Sequence, residues 1–260
     1  MNTSQLKLPI QDLSRVIVWV SAGAASAVAW KLAFTKYGNR CMGIYCDTLV
    51  NEHPDNARFL SEVSKWVGQP LTVIRSEKYT TIDEVFEKTR YMAGQNGARC
   101  TTELKKIPRL KMQQADDIHV WGFTSEEADR IHDFKMRNPD MICEFILAPE
   151  GFTKDNCFAI LKFAKIALPQ RYLEGFLNNN CLCCVKASSV AYWIRERRIN
   201  PEVFARRARQ SREIGARLVR WKGKRIFLDQ IPPDEQIPKR FFKKSAQENV
   251  SCGPECGISK

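Results

Sequence analysis

Histidine is scarce. The chain holds three, His53, His119 and His132, and no two of them stand at a ligand spacing. They are read as ordinary surface or core side chains, and no Ser-His-Asp arrangement can be built from them. Long apolar runs are missing as well. None approaches the roughly 20 residues that a bilayer-spanning helix needs. Residues 1–12 are polar and carry no apolar signal segment. A cytoplasmic protein without a membrane partner is expected. Internal repeats and long low-complexity segments are absent. Acidic charge is outnumbered, giving a net charge of +12 over 260 residues. That imbalance favours polyanionic partners, either nucleotides or nucleic acid.

What is present suits one large α/β domain with a smaller appendage, since 44% of the residues are hydrophobic. Short apolar runs alternate with helical periodicity. Strands are expected at 16–20, 40–46, 71–75 and 118–122, with one more at 144–146. Helices are expected at 24–37, 54–68, 81–92 and 102–114, the last despite Pro108. Such alternation implies a doubly wound, mostly parallel sheet, here assigned to residues 1–172. Residues 173–260 read as a basic, Cys-rich, helical region packed on it. Its helices are expected at 153–164, 172–177, 185–198 and 201–218, counting those that flank the boundary, with a strand at 225–228.

The segment that follows the first strand reads Ser21-Ala22-Gly23-Ala24-Ala25-Ser26. A strand, a turn of small residues and a helix start together make an anion site, because the first helical N–H groups lack internal partners. The alternative is an ordinary tight turn in an α/β core. Three strand ends converge on one rim of the sheet, where ligands of such sheets bind: this loop, Asp47-Thr48 with Glu52, and Gly122 to Glu127. Asp47 is read either as a nucleoside or magnesium contact or as a cap. Thr124 and Ser125 either donate to phosphate or cap the next helix, with Glu127 closing a capping box. Lys105, Lys106 and Arg109 offer positive charge to phosphate or sulfate, or form a solvated basic face. Glu126, Glu127 and Asp129 read as a charged helix start. The Arg- and Lys-rich stretch 195–225 is either a solvated face or a nucleic-acid surface.

Ten cysteines in a reducing compartment favour metal or redox use over disulfides. Cys41, Cys46, Cys143 and Cys157 sit in apolar stretches and read as small buried hydrophobes. Cys100 opens a helix, where the dipole is expected to stabilise a thiolate. Cys181 and Cys184 form a C-x-x-C pair, and Cys252 and Cys256 a C-x₃-C pair. Four such thiolates suit either structural zinc or an iron–sulfur cluster. The spacing leans towards zinc, and unligated cysteines are the third option.

Together these segments resemble the phosphoadenosine phosphosulfate (PAPS) reductase-like family of the adenine-nucleotide α-hydrolase (PP-loop) superfamily, and most of all its phage-type branch. The likeness runs from Val16 to Cys256. It rests on the Ser21 to Ser26 loop completed by Val28, and on Asp47, Thr48, Glu52 and Phe59. It also rests on Cys100, Lys105 and Pro108, on Gly122 and Glu127, and on Cys181, Cys184 and Glu255-Cys256-Gly257-Ile258. The loop lacks the acid of the ATP pyrophosphatases. Thr101 replaces a second cysteine, Thr124 stands where an arginine is usual, and Ser259 replaces a histidine.

The resemblance implies an enzyme that binds PAPS or ATP and handles sulfur by sulfonate reduction or sulfur transfer. It implies a 4Fe-4S cluster rather than zinc, held by Cys181, Cys184 and Cys252 with Cys100 or Cys256. Cys256 has a competing role as the nucleophile. Its thiolate would attack the sulfonate sulfur to give a thiosulfonate, which an external thiol donor then releases. Two rival readings stand beside this one: an ATP-dependent tRNA or DNA thiolation enzyme, and a non-catalytic nucleotide-binding protein. The oligomeric state is open, with a homodimer among the options.

Overall fold

The computed structural model describes residues 14–94 and 97–237. Strand β1 (Val16–Val20) is buried on both faces throughout, as a central parallel strand requires. It lies between β2 (Cys41–Cys46) and β6 (Ile118–Val120), with Val18 opposite both Gly43 and Val120. β3 (Thr72–Ile74) and β7 (Cys143–Glu144) form the two edges. The order is β3-β2-β1-β6-β7 and every pairing is parallel. This is a Rossmann-like α/β architecture whose strand order reverses between β1 and β6.

Side-chain alternation along β1 divides the core. Val16, Val18 and Val20 face a large cluster that includes Trp30 of α1 (Ala24–Tyr37). Phe59 and Val63 of α2 (Asp55–Val67) and Leu161 of α7 (Lys154–Phe163) join the same cluster. Ile17 and Trp19 face a smaller one with Ile44 and Cys46. Helix α1 approaches β2 closely: a Cβ on Gly43 would fall 2.3 Å from the Trp30 ring.

A second core joins two distant parts of the chain. Val85 and Phe86 of α3 (Ile82–Thr89) pack with Met92, and with Ala98 from the β4 (Ala93–Gly94) and β5 (Gly97–Ala98) ribbon. They share this core with Trp193 and Ile194 of α9 (Val190–Ile199) and with Phe204 of α10 (Pro201–Ile214). The expected boundary at residue 172 therefore cuts through a core that also draws on residues 79–104.

Several elements differ from expectation. The expected helix at 185–198 starts only at Val190, because Val185 is buried in the second core and Ser188 accepts a hydrogen bond from the Arg220 amide. The helix from Pro201 stops at Ile214 on the left-handed Gly215. That frees β8 (Val219–Trp221) to pair with β9 (Lys224–Ile226) through Lys222 and Gly223, both at positive φ. The stretch around Pro108 is helical as expected, but composite. It consists of α4 (Arg99–Thr101), a π segment (Thr102–Lys106) and α5 (Ile107–Met112). Proline lacks an N–H, so the α ladder cannot run through it unbroken, and the wider π turn takes up the change just before it. Among the described residues no helix is long and apolar enough to cross a membrane.

Candidate functional site

A cavity of about 770 Å³ opens at the carboxyl ends of β1 and β6, where the strand order reverses. Its floor is the expected loop. Ser21, Gly23, Ala25 and Ser26 line it, whereas Ala22 and Ala24 are buried behind. The Ser26 hydroxyl holds the loop together. It accepts from the Ser21 amide at 3.0 Å and lies 2.7 Å from the Ser21 carbonyl and 2.9 Å from the Gly23 carbonyl. The Tyr172 hydroxyl takes the Ala24 amide at 3.4 Å, one of the orphan donors at the start of α1. Gly122, at the end of β6, lies flush against this first turn of α1 and also lines the cavity.

Lys105, Lys106 and Arg109 all reach the cavity. Adjacent helical residues ordinarily point apart, and the π segment helps bring Lys105 and Lys106 to the same side. Arg109 is 9% exposed, lies over the Trp121 ring at 5.6 Å, and its Nε has no hydrogen-bond partner among the described residues. Burial lowers its pKa. Four cations missed in reading the sequence as a phosphate site complete the lining: Arg130, Lys154, Lys186 and Arg195. Glu127 is the one acid among the lining residues, and Arg130 pairs with it. Lys105, Lys106, Arg109 and Lys186 form no ion pair and no side-chain hydrogen bond among the described residues.

Asp47, Thr48 and Thr124 do not line the cavity. The Asp47 carboxylate pairs with Arg75 at 2.7 Å and accepts from the Leu49 amide at 3.2 Å, and it caps neither the turn at Leu49–Asn51 nor helix α2. Thr48 is 1% exposed and donates to Glu52 at 2.6 Å. Glu52 in turn accepts from Asn56 at 2.7 Å, and the Asn56 oxygen accepts from Asn179 at 2.8 Å. Asn179 also donates to the Ala22 carbonyl. This buried chain of hydrogen bonds ties the Asn178-Asn179-Asn180 turn to the back of the loop. Thr124 and Glu127 form the capping box foreseen as the alternative to phosphate contact.

The thiols gather at one side. Cys184 lines the cavity, and its amide donates to the Tyr192 hydroxyl at 2.7 Å. Cys181, Cys184 and Cys100 lie close enough to influence one another electrostatically. Burial pushes the Cys181 thiol up to about 12. Burial, reinforced by Cys184, also raises the Cys100 thiol, opposite to the direction expected of a helix start. Burial likewise opposes the Lys105 ammonium, yet Cys181, Glu52, Cys46 and Cys100 outweigh it and hold its pKa above the ordinary value.

Among the described residues no three His, Cys, Asp or Glu side chains stand together closely enough to hold a metal ion. Cys252 and Cys256 lie outside the described residues. Cys41, Cys46 and Cys157 are buried as expected, whereas Cys143 is half-buried on the edge strand β7. Cys183 is fully buried in the second core, its amide donating to Glu196 at 3.0 Å.

Much of the basic stretch 195–225 is structural. Arg197 donates to the Ile231 and Pro232 carbonyls, Arg206 and Arg207 pair with Asp83, and Arg212 pairs with Asp229. Arg209, Arg220, Lys222 and Lys224 remain exposed. No protein-family model matches the chain, and no curated protein matches its sequence.

Proposed function

We propose that this protein is a PAPS-reductase-like enzyme that binds an adenine nucleotide, PAPS or ATP, and handles sulfur by sulfonate reduction or sulfur transfer. One observation carries the anion part. Lys105, Lys106, Arg109 and Lys186 converge on one cavity, and none of them forms an ion pair with a carboxylate among the described residues. Holding four like charges together is unfavourable unless an anion binds among them. The loop 21–26 adds backbone polarity to the same place. The Ala25 and Ser26 amides have no partner among the described residues.

The sulfur part rests on the thiols beside that charge. Cys100, Cys181 and Cys184, joined by Cys252 or Cys256, would hold a 4Fe-4S cluster, or zinc in its place. Thiolate donors suit either group, and the three described cysteines do not by themselves stand close enough together to hold it. Such a cluster would supply redox capacity beside the anion site. Lys105 lies near Cys181 and Cys100 and favours their deprotonated form, which ligation requires.

The test is PAPS-dependent sulfite release with thioredoxin, under anaerobic conditions and after iron and sulfide reconstitution. Sulfite formation that is lost in Lys105→Ala supports the reading. Its absence from cluster-replete protein rejects it. The second reading, ATP-dependent nucleic-acid thiolation, is favoured by the exposed Arg220, Lys222 and Lys224 of the β8–β9 hairpin. Pyrophosphate release from ATP that requires RNA or DNA would select it.

A further inference from the structure

The loop and its cations occupy only part of the cavity. On the β6 side, three half-buried aromatic rings line the wall: Trp121, Phe123 and Phe134. Trp121 and Phe134 have centroids 4.6 Å apart, and Phe123 lies 5.9 Å from Phe134. Arg109 stands over Trp121, and Arg130 stands over Phe123 at 4.7 Å. Phe134 and Arg130 belong to α6 (Ala128–Arg137), which buries no residue fully. That helix rests on the body through partly covered rings. Rings that serve only as core are covered by other side chains. These rings pack on Trp19 and Phe145 and also line the cavity, and guanidinium planes occupy positions where a flat π-system stacks.

We propose that this wall is a stacking subsite for a phosphate-bearing nucleobase, the base packing in the angle between Trp121 and Phe134, which are tilted 56° to each other, while its phosphates reach Arg109 and the loop 21–26. The inference rests on the anion-binding reading above and adds where the ring lies. The family resemblance puts the nucleoside at Asp47 and Thr48, beyond β2. Thr48 is closed off by its hydrogen bond to Glu52, and the aromatic wall stands on the opposite side of β1. Cations interleaved with exposed aromatic rings are the chemistry that holds phosphate-linked bases. The base belongs either to a free nucleotide or to a single strand.

The experiment titrates the full-length protein with tripolyphosphate, ATP, adenosine and a five-nucleotide single-stranded DNA, followed by calorimetry. ATP is expected to bind about tenfold more tightly than tripolyphosphate, as base stacking predicts. Phe134→Leu and Trp121→Leu keep apolar bulk and should remove that margin, and Phe134→Leu, whose ring carries no guanidinium, should leave tripolyphosphate binding unchanged. Thermal melting confirms that both variants fold. Lys106→Ala should weaken ATP and tripolyphosphate alike. Equal affinity for ATP and tripolyphosphate in the wild type, or an ATP preference that survives both leucine variants, overturns the subsite. Adenosine binding that is sensitive to the leucine variants retains the subsite even where tripolyphosphate fails to bind and the anion reading falls. Tighter binding of the DNA than of ATP assigns the base to a strand, and the reverse assigns it to a free nucleotide. No binding of ATP, adenosine or DNA overturns both inferences.

Discussion

A Cβ on Gly122 would stand 2.7 Å from the Ser26 Cα and 2.8 Å from the Ser26 nitrogen, both backbone atoms of the first turn of α1. Gly122→Ala must therefore push the loop away from β6. It is expected to cost about 1–3 kcal/mol, as overpacking does, and to weaken tripolyphosphate binding; urea unfolding and calorimetry read the two effects. Asp47 gives the opposite expectation. Its ion pair with the exposed Arg75 is worth about 1 kcal/mol or less, and it lies away from the cavity. Asp47→Ala should leave ATP affinity within about twofold of wild type, and a tenfold loss would restore it as a ligand contact. The thiols set a pH limit. Cys41, Cys157 and Cys181 are each pushed by burial from an ordinary 9.0 up to about 12. Above pH 9 the unfolded chain loses these protons while the folded metal-free chain keeps them. Their stabilisation is thus whole below pH 9 and is lost as pH rises towards 12. The urea midpoint of the metal-free protein should fall steadily above pH 9, and a flat profile to pH 11 would contradict the burial assigned to these thiols.

Elements are joined by buried charge as much as by apolar packing. Arg171, on α8 (Gln170–Leu173), and Glu196, on α9, form an ion pair with both side chains fully buried. Glu196 also accepts from the Cys183 amide and from Asn200 at 2.7 Å. This carboxylate therefore fixes the Cys181 to Cys184 turn against α9. Glu196→Ala strips the fully buried Arg171 of its closer partner and leaves it only Glu174, at 3.4 Å. A loss of about 3–5 kcal/mol is expected in urea unfolding, together with weaker ATP binding because the cavity wall at Cys184 loosens. A stability change under about 1 kcal/mol would show that the pair is not holding the turn.

At the scale of the molecule, the second core makes the two halves of the chain interdependent. A chain ending at residue 172 would expose Ile82, Val85 and Phe86, whose partners come from residues 183–237. Such a truncation is expected to lose cooperative thermal unfolding and to bind a hydrophobic dye; a sharp, dye-free transition would show that the sheet domain stands alone. Much of the layout was legible in the sequence. The periodicity of 14–75, the turn of small residues at 21–26 and the strand ends that form the rim follow from local rules, because a buried parallel strand must be apolar throughout and a tight turn needs small side chains. Tertiary structure decided what shares the cavity. Arg130, Lys154, Lys186 and Arg195 carry no local mark of a phosphate site, and nothing local sets Trp121 and Phe134 apart from other aromatic residues. Asp47 and Thr48 match a motif, yet the fold pairs Asp47 with Arg75 and buries Thr48 against Glu52. A side chain's partners are set by segments far away along the chain, and no periodicity within its own segment encodes them.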